Sequence, residues 1–131
     1  MPIANSSARQ TIVVDIDGTI CNARQNDGGP MTPMQYFHAV PRNDVIAAVN
    51  RLHTAGCRIV IFTARGMATY SGDVKLAEEA LRPLTEEWLK QNKVAYDELI
   101  FGKPSAWLFV DDRAVSPDAL AHIAEAFGAV A

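Results

Sequence analysis

The sequence predicts an α/β fold, a Rossmann-like parallel sheet with helices on both faces. Two observations carry this. Short, nearly continuous apolar runs alternate with stretches of helical periodicity, as expected of strands buried on both sides and the helices that connect them. Each apolar run also ends abruptly in polar, chemically capable residues.

The first run is 11–16, Thr-Ile-Val-Val-Asp-Ile, which stops at Asp17-Gly18-Thr19. β-branched residues dominate it, as suits a strand. Residues 1–9 before it are small and polar and are expected to form a loose tail. Residues 21–41 hold Gly28-Gly29-Pro30, Pro33 and Pro41 among Met31, Met34, Tyr36 and Phe37. This reads as an ordered, flap-like excursion with a short hairpin or one helical turn. Gly28-Gly29 does not sit between a strand and a helix, so it is not read as a phosphate-binding turn.

A helix is expected from Asn43 or Asp44 to Ala55, with Val45, Val49 and Leu52 on one face and Gly56 as its stop. A second strand, 58–62, ends at Thr63-Ala64-Arg65-Gly66. Residues 73–93 are helical in pattern, with Asp73 as cap, Pro83 expected to kink or restart the helix, and Thr85 as a candidate second cap. Residues 98–101 form a third strand and 107–110, Trp-Leu-Phe-Val, a fourth, which ends at Asp111-Asp112. Trp88 and Trp107 read as core aromatics. Ser116-Pro117 opens a last helix, expected to run to Phe127. Residues 10–131 are therefore expected to make one catalytic domain.

Composition narrows the function. The 131 residues are 49% hydrophobic and 21% charged, which excludes disorder for the bulk of the chain. Twelve basic against 15 acidic residues give a net charge of −3, so no general basic field is present and nucleic acid is not an expected partner. No apolar stretch is long enough for a membrane span, and no leader is visible. Cys21 and Cys57 do not form a disulfide framework. A cytoplasmic setting with free thiols is the expectation. The three histidines, His38, His53 and His122, are too scattered for a zinc site.

In an open α/β sheet, ligands bind at the carboxyl ends of the strands. That edge would collect Asp15 and Asp17, Thr63 and Arg65, Lys103, and Asp111 and Asp112. Four carboxylates together require a cation, and oxygen ligands suit Mg²⁺. A lysine, a hydroxyl and free backbone N–H groups beside it suit phosphate. An aspartate at a strand end can attack phosphorus.

Asp15-Ile16-Asp17-Gly18-Thr19 after an apolar strand resembles the first motif of the haloacid dehalogenase (HAD) superfamily of phosphohydrolases. Phe62-Thr63 resembles the second, Lys103 the third, and Val110-Asp111-Asp112 the fourth. The resemblance implies Asp15 as nucleophile and Asp17 as general acid, then base. It implies phosphate binding by Thr63, Lys103 and the Gly18 N–H, with Lys103 holding Asp15 ionised. It implies Mg²⁺ held by Asp15, the Asp17 carbonyl and Asp112, with Asp111 behind it or in its place. Arg65 is a substrate-rim candidate, or else the partner of a surface acid.

The short spacings leave no room for a large cap domain, so the chain resembles the capless class. Residues 62–67, Tyr70, Gly72-Asp73, 85–89, 96–98 and 101–104 further resemble small members linked to capsule and surface-polysaccharide synthesis. That implies a small sugar-phosphate substrate. A phosphatase for nucleic-acid ends or phosphoproteins, and a non-catalytic binding domain, are the alternatives. An open site with apolar residues between 31 and 40 fits a homo-oligomer.

Overall fold

The computed structural model describes residues 9–22 and 30–130. The expectations for the tail and for Gly28-Gly29 thus lie outside the described residues, except for Arg9. Three strands form a parallel sheet in the order β1 (Thr11–Val14), β2 (Arg58–Thr63), β3 (Glu98–Phe101). Val14 pairs with Ile61, and Thr63 with Phe101, so the strand ends that carry the motifs lie side by side. Ile59, Ile61 and Thr63 alternate onto one face and are fully buried. Val13 points to the other face and is 60% exposed.

The excursion contains one short helix, α1 (Pro33–Phe37), closed by a capping box in which the Thr32 hydroxyl accepts from the Gln35 N–H and the Gln35 side chain accepts from the Thr32 N–H. Trp88 Nε1 donates to the Ala39 carbonyl at 3.0 Å, which fastens the excursion to the domain. The remaining helices are α2 (Asn43–Thr54), α3 (Val74–Gln91) and α4 (Leu120–Val130), the last entered through a 3₁₀ turn at Pro117–Ala119. Helix α4 packs along α2, and α1 against α3. Asn50 on α2 accepts from the Ala95 N–H and donates to the Lys93 carbonyl, both at 2.8 Å, and so fixes the turn into β3.

Three local expectations change. Helix α3 runs unbroken through Pro83, and Thr85 is a buried residue in its middle rather than a second cap. Asp73 does cap it, accepting from the Leu76 N–H at 3.2 Å. Helix α4 continues past Phe127 to Val130. The largest change is that residues 107–110 form no strand. Trp107 is 92% and Val110 98% exposed, so Trp107 is not a core aromatic. No helix among the described residues is long and apolar enough to cross a membrane.

Gly66 shows how tightly β2 delivers its end to α3. Its φ is +79°, and a Cβ there would lie 2.8 Å from the Ala77 Cβ and 2.9 Å from the Leu81 Cδ1. Gly66→Ala combines left-handed strain with overpacking and is expected to cost about 2–4 kcal/mol. Chemical denaturation followed by circular dichroism checks this; an unchanged midpoint contradicts the packing described.

Candidate active site

The chain emerges from β1 at Asp15 and turns at once. The Thr19 and Ile20 N–H groups both donate to the Ile16 carbonyl at 3.0 Å, and Gly18 takes φ +85°. This tight turn aims Asp15 and Asp17 into one cleft. Its walls are completed by Tyr36, Ala64, Arg65, Lys103 and Phe109.

Lys103 follows β3, and its N–H donates to the Thr63 carbonyl at 3.1 Å. That anchor carries Lys103 Nζ to 3.5 Å from Asp15 Oδ2. Burial pushes the Asp15 carboxyl above the usual carboxylate range, and the nearby Lys103 charge pulls the other way without fully offsetting it.

Arg65 is the feature the sequence conceals. It is not at the rim; it is 1% exposed and lies beneath the site. Its Nε donates to Asp17 Oδ2 at 3.0 Å and its Nη2 to Asp17 Oδ1 at 3.1 Å, a bidentate fork. Nη1 donates to the Thr85 hydroxyl at 3.1 Å, and the guanidinium stacks 4.7 Å from the Tyr36 ring centroid. Asp17 also accepts from the Cys21 thiol at 3.4 Å. Burial first, then the Asp17 charge, push that thiol up to about 12, so it stays protonated at neutral pH. The helical spacing of Leu81, Thr85 and Trp88 is the one sequence signal that Thr85 faces inward; nothing local links it to Arg65.

Other expected site residues are placed differently. The Thr63 side chain is fully buried, and its hydroxyl accepts from the Arg65 N–H at 3.1 Å. It braces the turn from behind the cleft wall. The Gly18 N–H, expected to face phosphate, donates to the Cys21 carbonyl at 3.1 Å. Asp111 and Asp112 are exposed and do not line the cleft. Asp111 instead accepts from the Arg113 N–H at 2.8 Å, a surface turn. Among the described residues, the expected Mg²⁺ ligands are thus not gathered into one cluster. Asp15 and Asp17 stand at the site; Arg65 engages both Asp17 carboxylate oxygens, which leaves the Asp17 backbone carbonyl as the oxygen expected to face a cation, and no cluster of three acidic, histidine or cysteine residues is found among those described.

Comparison with known proteins places this geometry in a family. Residues 9–113 match the family model HAD_PNKP, the polynucleotide kinase PNKP phosphatase domain. The chain is 35% identical to a protein of Vibrio cholerae solved as a structural-genomics target, over 92% of this chain and 97% of that one, with a TM-score of 0.76. A chain of the Pnkp1/Rnl/Hen1 complex shares the fold at 17% identity and a TM-score of 0.53, covering 87% of this chain and 34% of that one. No curated protein matches. The chain belongs to the HAD_PNKP family of the HAD superfamily and is a phosphatase.

Two outcomes follow from the site. Arg65→Lys keeps a charge but not the fork, so it is expected to destabilise the protein by about 1.5–3 kcal/mol, the worth of charge-assisted bonds, and to lower kcat at least tenfold. Denaturation and steady-state kinetics check this, and wild-type values in both would refute the clamp. Lys103→Met removes the positive charge that, among the described residues, favours ionised Asp15, so the Asp15 titration moves to still higher pH. Carbon-13 NMR of the Asp15 carboxyl reads it directly; a downward shift or none contradicts the geometry.

Proposed function

We propose that the chain hydrolyses phosphate monoesters through a phosphoryl-enzyme intermediate on Asp15. The observation that carries this reading is the pairing of two carboxylates in unlike surroundings. Asp15 faces the cleft beside a lysine, and Asp17 is fixed from below by a buried arginine.

The steps follow from those positions. An Asp15 oxygen attacks phosphorus, forming a P–O bond as the bond to the ester oxygen breaks. Asp17, protonated on the outward lone pair of one oxygen while the Arg65 fork holds the inner side, gives the ester oxygen a proton, and the alcohol departs. Asp17, now a carboxylate, takes a proton from water, which attacks the phosphoryl group. The P–O bond to Asp15 breaks, and inorganic phosphate leaves. Lys103 faces the oxygens that gather charge in both transfers. Arg65 holds Asp17 to one rotamer, so the same group can serve both the leaving oxygen and the incoming water. The oxygen-only donor set calls for Mg²⁺, which would supply charge stabilisation at the transferring group.

For the substrate we favour a small sugar phosphate. The net charge of −3 offers no field for a polyanion, and the cleft of about 170 Å³ is small. A phosphate at a nucleic-acid end is the second reading. It is favoured by the family match, since that family is described from phosphatase domains of polynucleotide kinases. The two buried free thiols fit a reducing compartment such as the cytoplasm.

Phosphate release from a panel of sugar phosphates and phosphate-ended oligonucleotides tests both readings. Release that needs Mg²⁺, is abolished by chelator and by Asp15→Asn, and hardly varies with salt identifies a small-molecule phosphatase. Activity confined to oligonucleotides and falling steeply with salt identifies the second reading. Full turnover in Asp15→Asn would refute the nucleophile.

A further inference from the structure

We propose that Asp17 exchanges its proton through Oδ2 alone, because the buried Cys21 thiol and the Arg65 fork together close Oδ1. Cys21 is then a positioning residue for proton transfer. The kinetic half of this inference rests on the phosphatase reading above; the hydrogen-bonding half does not.

The two oxygens of a carboxylate offer about four lone pairs. Among the described residues, Asp17 accepts three hydrogen bonds on its carboxylate. Two reach Oδ1, from Arg65 Nη2 at 3.1 Å and from the Cys21 thiol at 3.4 Å. One reaches Oδ2, from Arg65 Nε at 3.0 Å. The remaining lone pair is on Oδ2. Burial puts that lone pair on the substrate's side. Cys21 is fully buried and so is the Arg65 side chain, so both donors stand on the interior side of the carboxylate. The Asp17 side chain keeps 14% of its surface open and lines the cleft.

The backbone holds the thiol in place. The Gly18 N–H donates to the Cys21 carbonyl at 3.1 Å and the Cys21 N–H to the Ile16 carbonyl at 3.4 Å, so the turn after β1 brings residue 21 back against residue 17. The Asn22 N–H donates to the Val40 carbonyl at 2.9 Å and the Arg42 N–H to the Ile20 carbonyl at 2.8 Å, which ties the turn to residues 40–42. The thiol's other neighbour is the Ile16 carbonyl at 3.5 Å. A thiol has one proton to give, and the carboxylate is the closer and the charged acceptor.

Sulfur matters here because it accepts poorly. A proton on Oδ1 would face it without a good acceptor, in a dry interior where an unpaired donor is costly. A hydroxyl in the same place would accept from Oδ1–H and donate to the Ile16 carbonyl, which gives the acid proton a second, unproductive seat. With the thiol the proton stays on Oδ2. The Oδ2–H bond breaks as the ester oxygen takes the proton, and it forms again as the attacking water gives one up.

Cys21→Ser separates this from packing. Phosphoryl-enzyme formation is measured in single turnovers with a series of substituted phenyl phosphates. Acidic phenols leave as anions, and weakly acidic ones need a proton to leave. Cys21→Ser is expected to slow the poorest leaving groups about three- to tenfold, the effect of one competing hydrogen bond, and to spare p-nitrophenyl phosphate. Cys21→Ala, which offers no acceptor, is expected to lose less than Cys21→Ser. No loss, an even loss across the series, or a larger loss in Cys21→Ala overturns the proposal. The infrared S–H stretch of Cys21, identified as the band lost in Cys21→Ala, is expected at low wavenumber and is expected to rise in Asp17→Asn. A band at the position of an unbonded thiol, or one unmoved in Asp17→Asn, contradicts the bond. A wild type that releases no phenol from any ester refutes the phosphatase reading instead, and the infrared result still decides the hydrogen bond.

Discussion

A buried guanidinium without a counter-charge is costly, and here that constraint organises the site. Arg65 leaves the end of β2, turns under the cleft and meets three elements: Asp17 from the turn after β1, Thr85 from the middle of α3, and Tyr36 from α1. Removing a buried charge's partner is far more damaging than the pair is stabilising, so the four residues are coupled. The same fork that satisfies Arg65 leaves Asp17 one orientation. Stability and positioning thus come from a single interaction. Gly66, immediately after Arg65, makes the approach of β2 to α3 close enough for it.

The sheet acts on the other carboxylate. Parallel pairing brings the ends of β1, β2 and β3 to one edge, and the bond from the Lys103 N–H to the Thr63 carbonyl converts that alignment into a charge pair at Asp15. Asp15 is therefore a half-buried acid beside a cation, and Asp17 an acid locked by a second cation. Two aspartates two residues apart acquire different surroundings, which is what a division of labour between nucleophile and proton carrier needs.

Three of the four expected strands were legible because each is a short apolar, β-forming run, although only β2 is buried on both faces, and the site edge because polar residues follow each run. The Asp73 cap and the stop at Gly56 were legible because their causes lie within one turn of helix. Arg65 was not, since its partners stand 48 and 20 residues away and a lone arginine after a strand reads as solvent-facing. Thr85 was misread for the reverse reason: a threonine after a proline looks like a cap, while α3 tolerates Pro83 and turns Thr85 inward. The run at 107–110 shows a deeper limit. Its apolar, β-forming pattern reads as a buried strand, whereas the segment is exposed and takes no strand conformation.

The reaction is defined by where phosphorus becomes attached. Enzyme quenched in acid during turnover of a phosphorus-32-labelled substrate, then digested and mapped by mass spectrometry, reads this directly. One base-labile acyl phosphate is expected, on Asp15, formed before phosphate appears in solution. Label on another residue, or turnover with no labelled protein at any time, would contradict it.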